Sequence, residues 1–85
     1  MPTVRMYKSN PCPYCTAAYR FLTEIKGVEV EEIDLTGNRE ARIELMQRSG
    51  QRTVPQIWIG DVHIGGYDDM RALDRRGGLD PLLEG

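Results

Sequence analysis

Val4-Arg5-Met6-Tyr7-Lys8-Ser9-Asn10-Pro11-Cys12-Pro13-Tyr14-Cys15 is the stretch on which the fold turns. Val4 to Tyr7 alternates apolar and polar side chains, the period of a strand. Asn10 to Cys15 then turns the chain, and Pro13 fits only a loop or the first turn of a helix. From Tyr14 to Lys26, Ala18, Leu22 and Ile25 recur at helical spacing with Phe21 beside them, and Gly27 supplies a stop. Val28 to Ile33 alternates valine and glutamate and reads as a second strand. The spacing leaves room for a crossover helix between two parallel strands.

Outward from this unit, Asp34 to Asn38 is a polar turn. A second helix is expected over Arg39 to Arg48, with Ala41, Ile43, Leu45 and Met46 as its apolar positions and Gly50 as its end. Two short apolar runs, Gln56 to Ile59 and Val62 to Ile64, flank Gly60-Asp61, a hairpin signal. Gly65-Gly66 breaks the second run, Tyr67 to Arg76 reads as a third helix with Met70 and Leu73 inward, and Gly77-Gly78 ends it. Leu79 to Leu83 is expected to form a final turn. The order β-α-β-α-β-β-α predicts an α/β architecture, a four-stranded mixed sheet flanked by about three helices on both faces. A Cys-x-x-Cys pair beside a βαβ pattern points to a thioredoxin-like redox fold.

The chain has 85 residues, enough for one domain spanning 1–85, and a chain this short buries only ~60–65% of its unfolded surface. Lys plus Arg number 11 against 13 Asp plus Glu, a formal net charge of −2, which argues against general nucleic-acid binding. No apolar run approaches the ~20 residues of a membrane span, and Met1 to Asn10 lacks the apolar stretch of a secretory signal. A cytoplasmic protein without membrane association is expected.

Cys12 and Cys15 are its two cysteines. A bridge closing so short a loop contributes at most ~2 kcal/mol to stability, so the pair reads as chemistry rather than as a staple. Cys12 stands between a strand and a helix, where unpaired amides and the positive helix end favour thiolate over thiol. Lowering a thiol pKa from ~8.5 to ~5 raises the thiolate fraction at neutral pH by ~30-fold and lowers intrinsic nucleophilicity by a comparable factor. The gain lies in leaving: a stable thiolate is readily expelled from a mixed disulfide. Cys15, one turn on, is placed to attack a disulfide formed at Cys12 and should be the more buried of the two. Inert core packing and half of a zinc site are the alternatives. Structural zinc wants four ligands, and this chain offers two cysteines and His63, so no metal is expected.

Thr53-Val54-Pro55 has two readings. Proline beside a strand is ordinarily an edge or strand-start feature. In a redox βαβ fold it is instead a cis proline facing the cysteines, with Val54 offering its backbone to an extended peptide. Gly65-Gly66-Tyr67-Asp68-Asp69 also has two: acidic capping of a helix, which the residues alone favour, or a seat for a zwitterionic amino-acid end. Trp58 and Phe21 read as core, His63 as structural or surface, Arg52 as solvated or paired with a carboxylate, and Tyr14 as an exposed aromatic near the thiol.

Together these residues resemble the glutaredoxin family, in its dithiol, bacterial form. The resemblance rests on Cys12-Pro13-Tyr14-Cys15, on Arg52 through Ile59, on His63-Ile64-Gly65-Gly66 with Asp68-Asp69, and on Gly77 through Leu83. It implies a glutathione-dependent thiol–disulfide oxidoreductase that reduces protein disulfides and glutathione mixed disulfides. Cys12 would be the nucleophile and Cys15 the resolving thiol. It further implies glutathione as co-substrate, disulfide-containing or glutathionylated proteins as partners, and a monomer. Glutathione contacts carry over to Tyr14, to the Thr53-Val54 backbone before cis Pro55, and to Gly66, Asp68 and Asp69 at the γ-glutamyl end. Arg52 and Gln47 match positions near the glycyl carboxylate.

Two positions depart from the family pattern. Ser9 stands where a lysine is common, and strand alternation directs the neighbouring Lys8 elsewhere. Tyr67 replaces a smaller residue and narrows the γ-glutamyl end. Two other functions compete: a carrier of a glutathione-ligated iron–sulfur cluster, disfavoured by a stiff Pro13-Tyr14 loop, and a redoxin reduced by thioredoxin reductase, disfavoured by the Gly-Gly-Tyr-Asp-Asp segment.

Overall fold

In the computed structural model, which describes residues 2–85, Val4–Lys8 (β1) has a partner on either side. Met1, the first residue of the expected 1–85 domain, lies outside the described residues. Val30–Asp34 (β2) pairs with β1 in parallel, Val4 opposite Val30. Gln56–Ile59 (β3) pairs with β1 antiparallel, Val4 opposite Ile59, and Val62–Gly65 (β4) closes the hairpin on β3. The sheet order is β2-β1-β3-β4, the mixed four-stranded sheet expected from the sequence.

Because strand side chains alternate, β1 and β3 each feed two cores. Val4, Met6, Ile57 and Ile59 face the helices Pro13–Arg20 (α1), Tyr67–Arg75 (α3) and Leu79–Glu84 (α4) and the Phe21–Ile25 turn that continues α1, where Ala18, Leu22, Met70, Leu79 and Leu83 are buried. Tyr7 and Trp58 face Arg39–Ser49 (α2), packing with Leu35 and Leu45. Burial of each of the valine, leucine, isoleucine and methionine side chains among these stabilises by ~1.5–3 kcal/mol. Tyr7 lies fully buried with its ring edge-on to Trp58 at 5.4 Å, and its hydroxyl donates to Glu44 Oε1 at 2.8 Å. Burial, helped by the Glu44 bond, pushes the Tyr7 phenol above its ordinary pKa.

Several boundaries differ from the sequence reading. The first helix, expected over Tyr14 to Lys26, is α-helical only to Arg20 and widens to a π-type turn over Phe21–Ile25, where the Lys26 N–H reaches the Phe21 carbonyl at 3.0 Å. The second strand begins at Val30 rather than Val28. In α2, capped by Asn38 and ended by Gly50 in the left-handed conformation, Leu45 is buried but Ile43 and Met46 are exposed. The final turn is the helix α4, making four α-helices among the described residues. It is tied down by Lys26, whose ammonium lies 2.7 Å from Asp74 of α3 and 2.8 Å from Asp80 of α4. None of the helices among the described residues is long and apolar enough to cross a membrane.

Candidate active site

The end of β1 delivers the chain to Cys12, which caps α1 in extended conformation with Pro13 at the first helical position. The Cys15 backbone N–H donates to Cys12 Sγ at 3.2 Å, so the cap acceptor of this helix is a sulfur. Cys12 and Cys15 are joined as a disulfide with their Cα atoms 5.2 Å apart. Cys12 is half-buried and Cys15 only 3% exposed, the asymmetry expected for a reactive and a sheltered sulfur. On reduction, the same N–H and the helix end favour negative charge on Cys12.

The loop before Cys12 is held by polar contacts that the sequence did not disclose. The Asn10 N–H donates to Thr36 Oγ1 at 2.9 Å and its side-chain amide to Asp34 Oδ2 at 3.2 Å, anchoring the turn on the end of β2. Asp34 also accepts the Thr36 N–H at 2.9 Å, which holds its carboxyl below the usual aspartate range. The Asn10–Pro11 peptide is cis, which the sequence reading did not anticipate; Val54–Pro55 is cis, as it did.

Opposite the cysteines, the Val54 carbonyl oxygen lies 3.9 Å from Cys12 Sγ. The loop carrying it is fastened from below. Gln56, 1% exposed, donates from Nε2 to Gln51 Oε1 at 2.9 Å and to Thr53 Oγ1 at 3.1 Å, while its Oε1 bonds His63 Nε2 at 2.8 Å. His63 in turn stacks on Trp58 at 4.3 Å. His63 is thus structural, as expected, and Gln56 is the positioning residue that sequence reasoning missed. A buried amide just after a Thr-x-Pro loop was the available signal, since such a group must find partners.

A groove of about 240 Å³ runs beside the disulfide. It is lined by Tyr14, by Thr53, Val54 and Pro55, and by Gly66, Tyr67, Asp68 and Asp69. Seven expected site residues from three separate stretches therefore line one surface. Arg52 lines a different cavity, against α2, and Gln47 is an exposed residue of α2 outside the groove lining. Lys8 pairs with Glu32 at 3.5 Å, and Lys8 and Ser9 lie with both cysteines around a smaller hollow of about 220 Å³.

Tyr67 lines the groove, and the structure shows how it is held. Its ring meets Tyr14 with centroids 6.1 Å apart, and its hydroxyl accepts Arg71 Nη1 at 2.8 Å. The Arg71 guanidinium also sits over the Phe21 ring at 4.6 Å. The i,i+4 spacing of Tyr67 and Arg71 could have signalled this support. At the start of α3, Asp69 Oδ2 accepts the Gly66 N–H at 3.0 Å, so the capping role read from the sequence is present. Asp68 is exposed.

The sequence model of the family described as Glutaredoxin matches residues 4–64. Glutaredoxin 3 of Escherichia coli (strain K12) is 51% identical over 84 residues, covering 99% of this chain and 100% of that protein. A glutaredoxin of Pseudomonas aeruginosa is 51% identical over 83 residues, 98% of each chain. Among solved structures, the solution structure of glutaredoxin from Brucella melitensis superposes with a TM-score of 0.84 at 48% identity, covering 98% of this chain and 89% of that one. The crystal structure of a buckwheat glutaredoxin–glutathione complex gives 0.83 at 31%, covering 98% and 77%.

Proposed function

The chain belongs to the glutaredoxin family and is a thiol–disulfide oxidoreductase; on that premise we propose that Cys12 is the attacking thiolate, Cys15 the resolving thiol and glutathione the co-substrate. One observation carries the reading: the half-buried Cys12 sulfur accepts the Cys15 N–H at the start of α1 and opens beside a groove lined by Tyr14, Val54 and Asp68.

In deglutathionylation the Cys12 thiolate attacks the glutathione sulfur of a protein–glutathione mixed disulfide. The protein thiolate leaves and takes a proton. A second glutathione, as thiolate, then attacks the bound glutathione sulfur, forming oxidised glutathione and restoring the Cys12 thiolate. With a protein disulfide, Cys12 attacks one sulfur and expels the other, and Cys15 displaces the remaining protein thiolate from Cys12. This leaves the Cys12–Cys15 disulfide in which the chain is found, and two glutathiones reduce it.

The groove accounts for the co-substrate. The Thr53-Val54 backbone pairs with the extended tripeptide, and Tyr14 packs on it. Gly66 with Asp68 and Asp69 receives the γ-glutamyl end, and Arg52 and Gln47 serve the glycyl carboxylate from the α2 side. Residues 1–85 act as one domain and a single copy suffices, since one chain supplies every group named. Disulfide-bearing and glutathionylated proteins of a reducing compartment, the cytoplasm, are the partners assigned.

Mass spectrometry tests the assignment of roles. Cys15→Ser exposed to oxidised glutathione is expected to hold one glutathione on Cys12; an adduct absent or placed elsewhere contradicts it. Asp69→Ala is expected to weaken glutathione binding by calorimetry and to destabilise the start of α3 by about 1 kcal/mol in urea unfolding, with the Cys12 titration unmoved. Unchanged glutathione affinity would leave Asp69 as a helix cap alone.

A further inference from the structure

A second concavity, bordered by Arg52 of the 51–55 loop, lies against α2. It has a volume of about 270 Å³. Leu35 and Leu45, both buried, line it together with Ile43 and Met46, which are 48% and 40% exposed. Arg39, Arg42 and Arg52 complete the lining, and no acidic residue belongs to it.

Three features set this cavity apart from an ordinary solvated helix face. None of the three arginines takes part in an ion pair or a side-chain hydrogen bond among the described residues; Arg75 and Arg76 are unpaired too, but Arg39, Arg42 and Arg52 come together around one apolar concavity. Arg39 is the first residue of α2, where the helix dipole disfavours a cation, so its placement is not explained by helix stability. The carboxylate of the neighbouring Glu44, which could have neutralised the cluster, is instead engaged by Tyr7 and Arg48. Apolar side chains left open among uncompensated guanidinium groups match an occupant with carboxylates around an apolar anchor.

Its position gives the cavity a use. Arg52 lines it, and the next residues, Thr53 and Val54, line the groove beside Cys12. The cavity and the groove thus share one loop, residues 52–55.

We infer that this cavity docks protein substrates, by receiving an acidic segment with an aliphatic or aromatic anchor next to the substrate cysteine. The inference rests on the chain acting as a reductase of protein disulfides and names a class of protein it selects. Glutathione alone, held in the groove, leaves the Ile43–Met46 side untouched.

The test uses the full chain, isotope-labelled, and a synthetic hexapeptide in which a leucine–phenylalanine pair is flanked by glutamates on both sides. Amide shifts are expected at Leu35, Ile43 and Met46, with binding that weakens as salt rises. A peptide with lysines in place of the glutamates is expected to give none. The double variant Arg39→Glu/Arg42→Glu, and separately Met46→Ser, should weaken the acidic peptide by about tenfold or more. Turnover of a small glutathione mixed disulfide should stay within about twofold in both, which keeps failure of docking separate from failure of the reductase reading. Unaltered peptide affinity in both variants overturns the inference. So do shifts confined to the groove, or equal binding of a single-stranded oligonucleotide of the same charge, which would show only general attraction of anions.

Discussion

Cys12→Ser is expected to lower turnover of both protein disulfides and glutathione mixed disulfides by more than about 10³-fold, the scale on which loss of a covalent nucleophile registers. Cys15→Ser should abolish reduction of protein disulfides by the dithiol route while keeping deglutathionylation. The asymmetry follows from the site. The Cys12 sulfur is the one that receives a helix-start N–H and lies near the Val54 carbonyl, whereas Cys15 is 3% exposed and meets only a sulfur already attached to Cys12. A hydroxyl at position 12 accepts the same N–H but is neither ionised at neutral pH nor able to form a disulfide. The coupled assay with glutathione and each substrate class decides. Equal loss of deglutathionylation in the two variants would show that Cys15 is needed for the first exchange.

Gly65→Ala is expected to be strongly damaging for the addition of one methyl group. Gly65 has φ +107°, a region from which side chains are nearly excluded, and a Cβ there would fall on the Asp69 carboxylate, 2.9 Å from its Cγ. Asp69 would have to release the Gly66 N–H, so the backbone penalty of about 1–2 kcal/mol is joined by about 1 kcal/mol for the lost cap. Unfolding in urea should show a loss of about 2–3 kcal/mol, summed from the same two terms. The effect extends to binding, because Gly66 and Asp69 line the groove. Gly66→Ala is the control: φ there is negative and the nearest atom to its Cβ, the Pro55 carbonyl oxygen, is at 3.4 Å. Comparable stability of the two variants would contradict the packing described for this turn.

The architecture was legible because its signals are local. Two-residue alternation along Val4–Tyr7 and the glycine pairs around the hairpin and third helix each mark an element without reference to the rest of the chain. The place of Cys12 at a helix start was legible for the same reason, since a cysteine just before a helix meets amides supplied by its own next three residues. What escaped depends on groups distant in sequence. The Asn10 contacts with Asp34 and Thr36 join two strand ends, the Gln56 amide gathers Gln51, Thr53 and His63, and the Phe21–Arg71–Tyr67 stack spans two helices. Period alone also overstated α2. Ile43 and Met46 are as apolar as Leu45, yet only Leu45 reaches the layer under Trp58, and nothing in the spacing tells a covered face from an open one. Arg52 and Gln47, which the resemblance set by the glycyl carboxylate, are outside the lining that Tyr14, Thr53 and Asp68 share, and spacing in the sequence does not tell which concavity a loop residue borders.

The ionisation of Cys12 tests the account most directly. Reduced Cys15→Ser leaves a single thiol, and the ultraviolet absorbance of its thiolate can be followed with pH. Stabilisation by the helix start and the amide of residue 15 predicts a midpoint below ~7. A midpoint at or above ~8.5, that of an unperturbed cysteine, would contradict it.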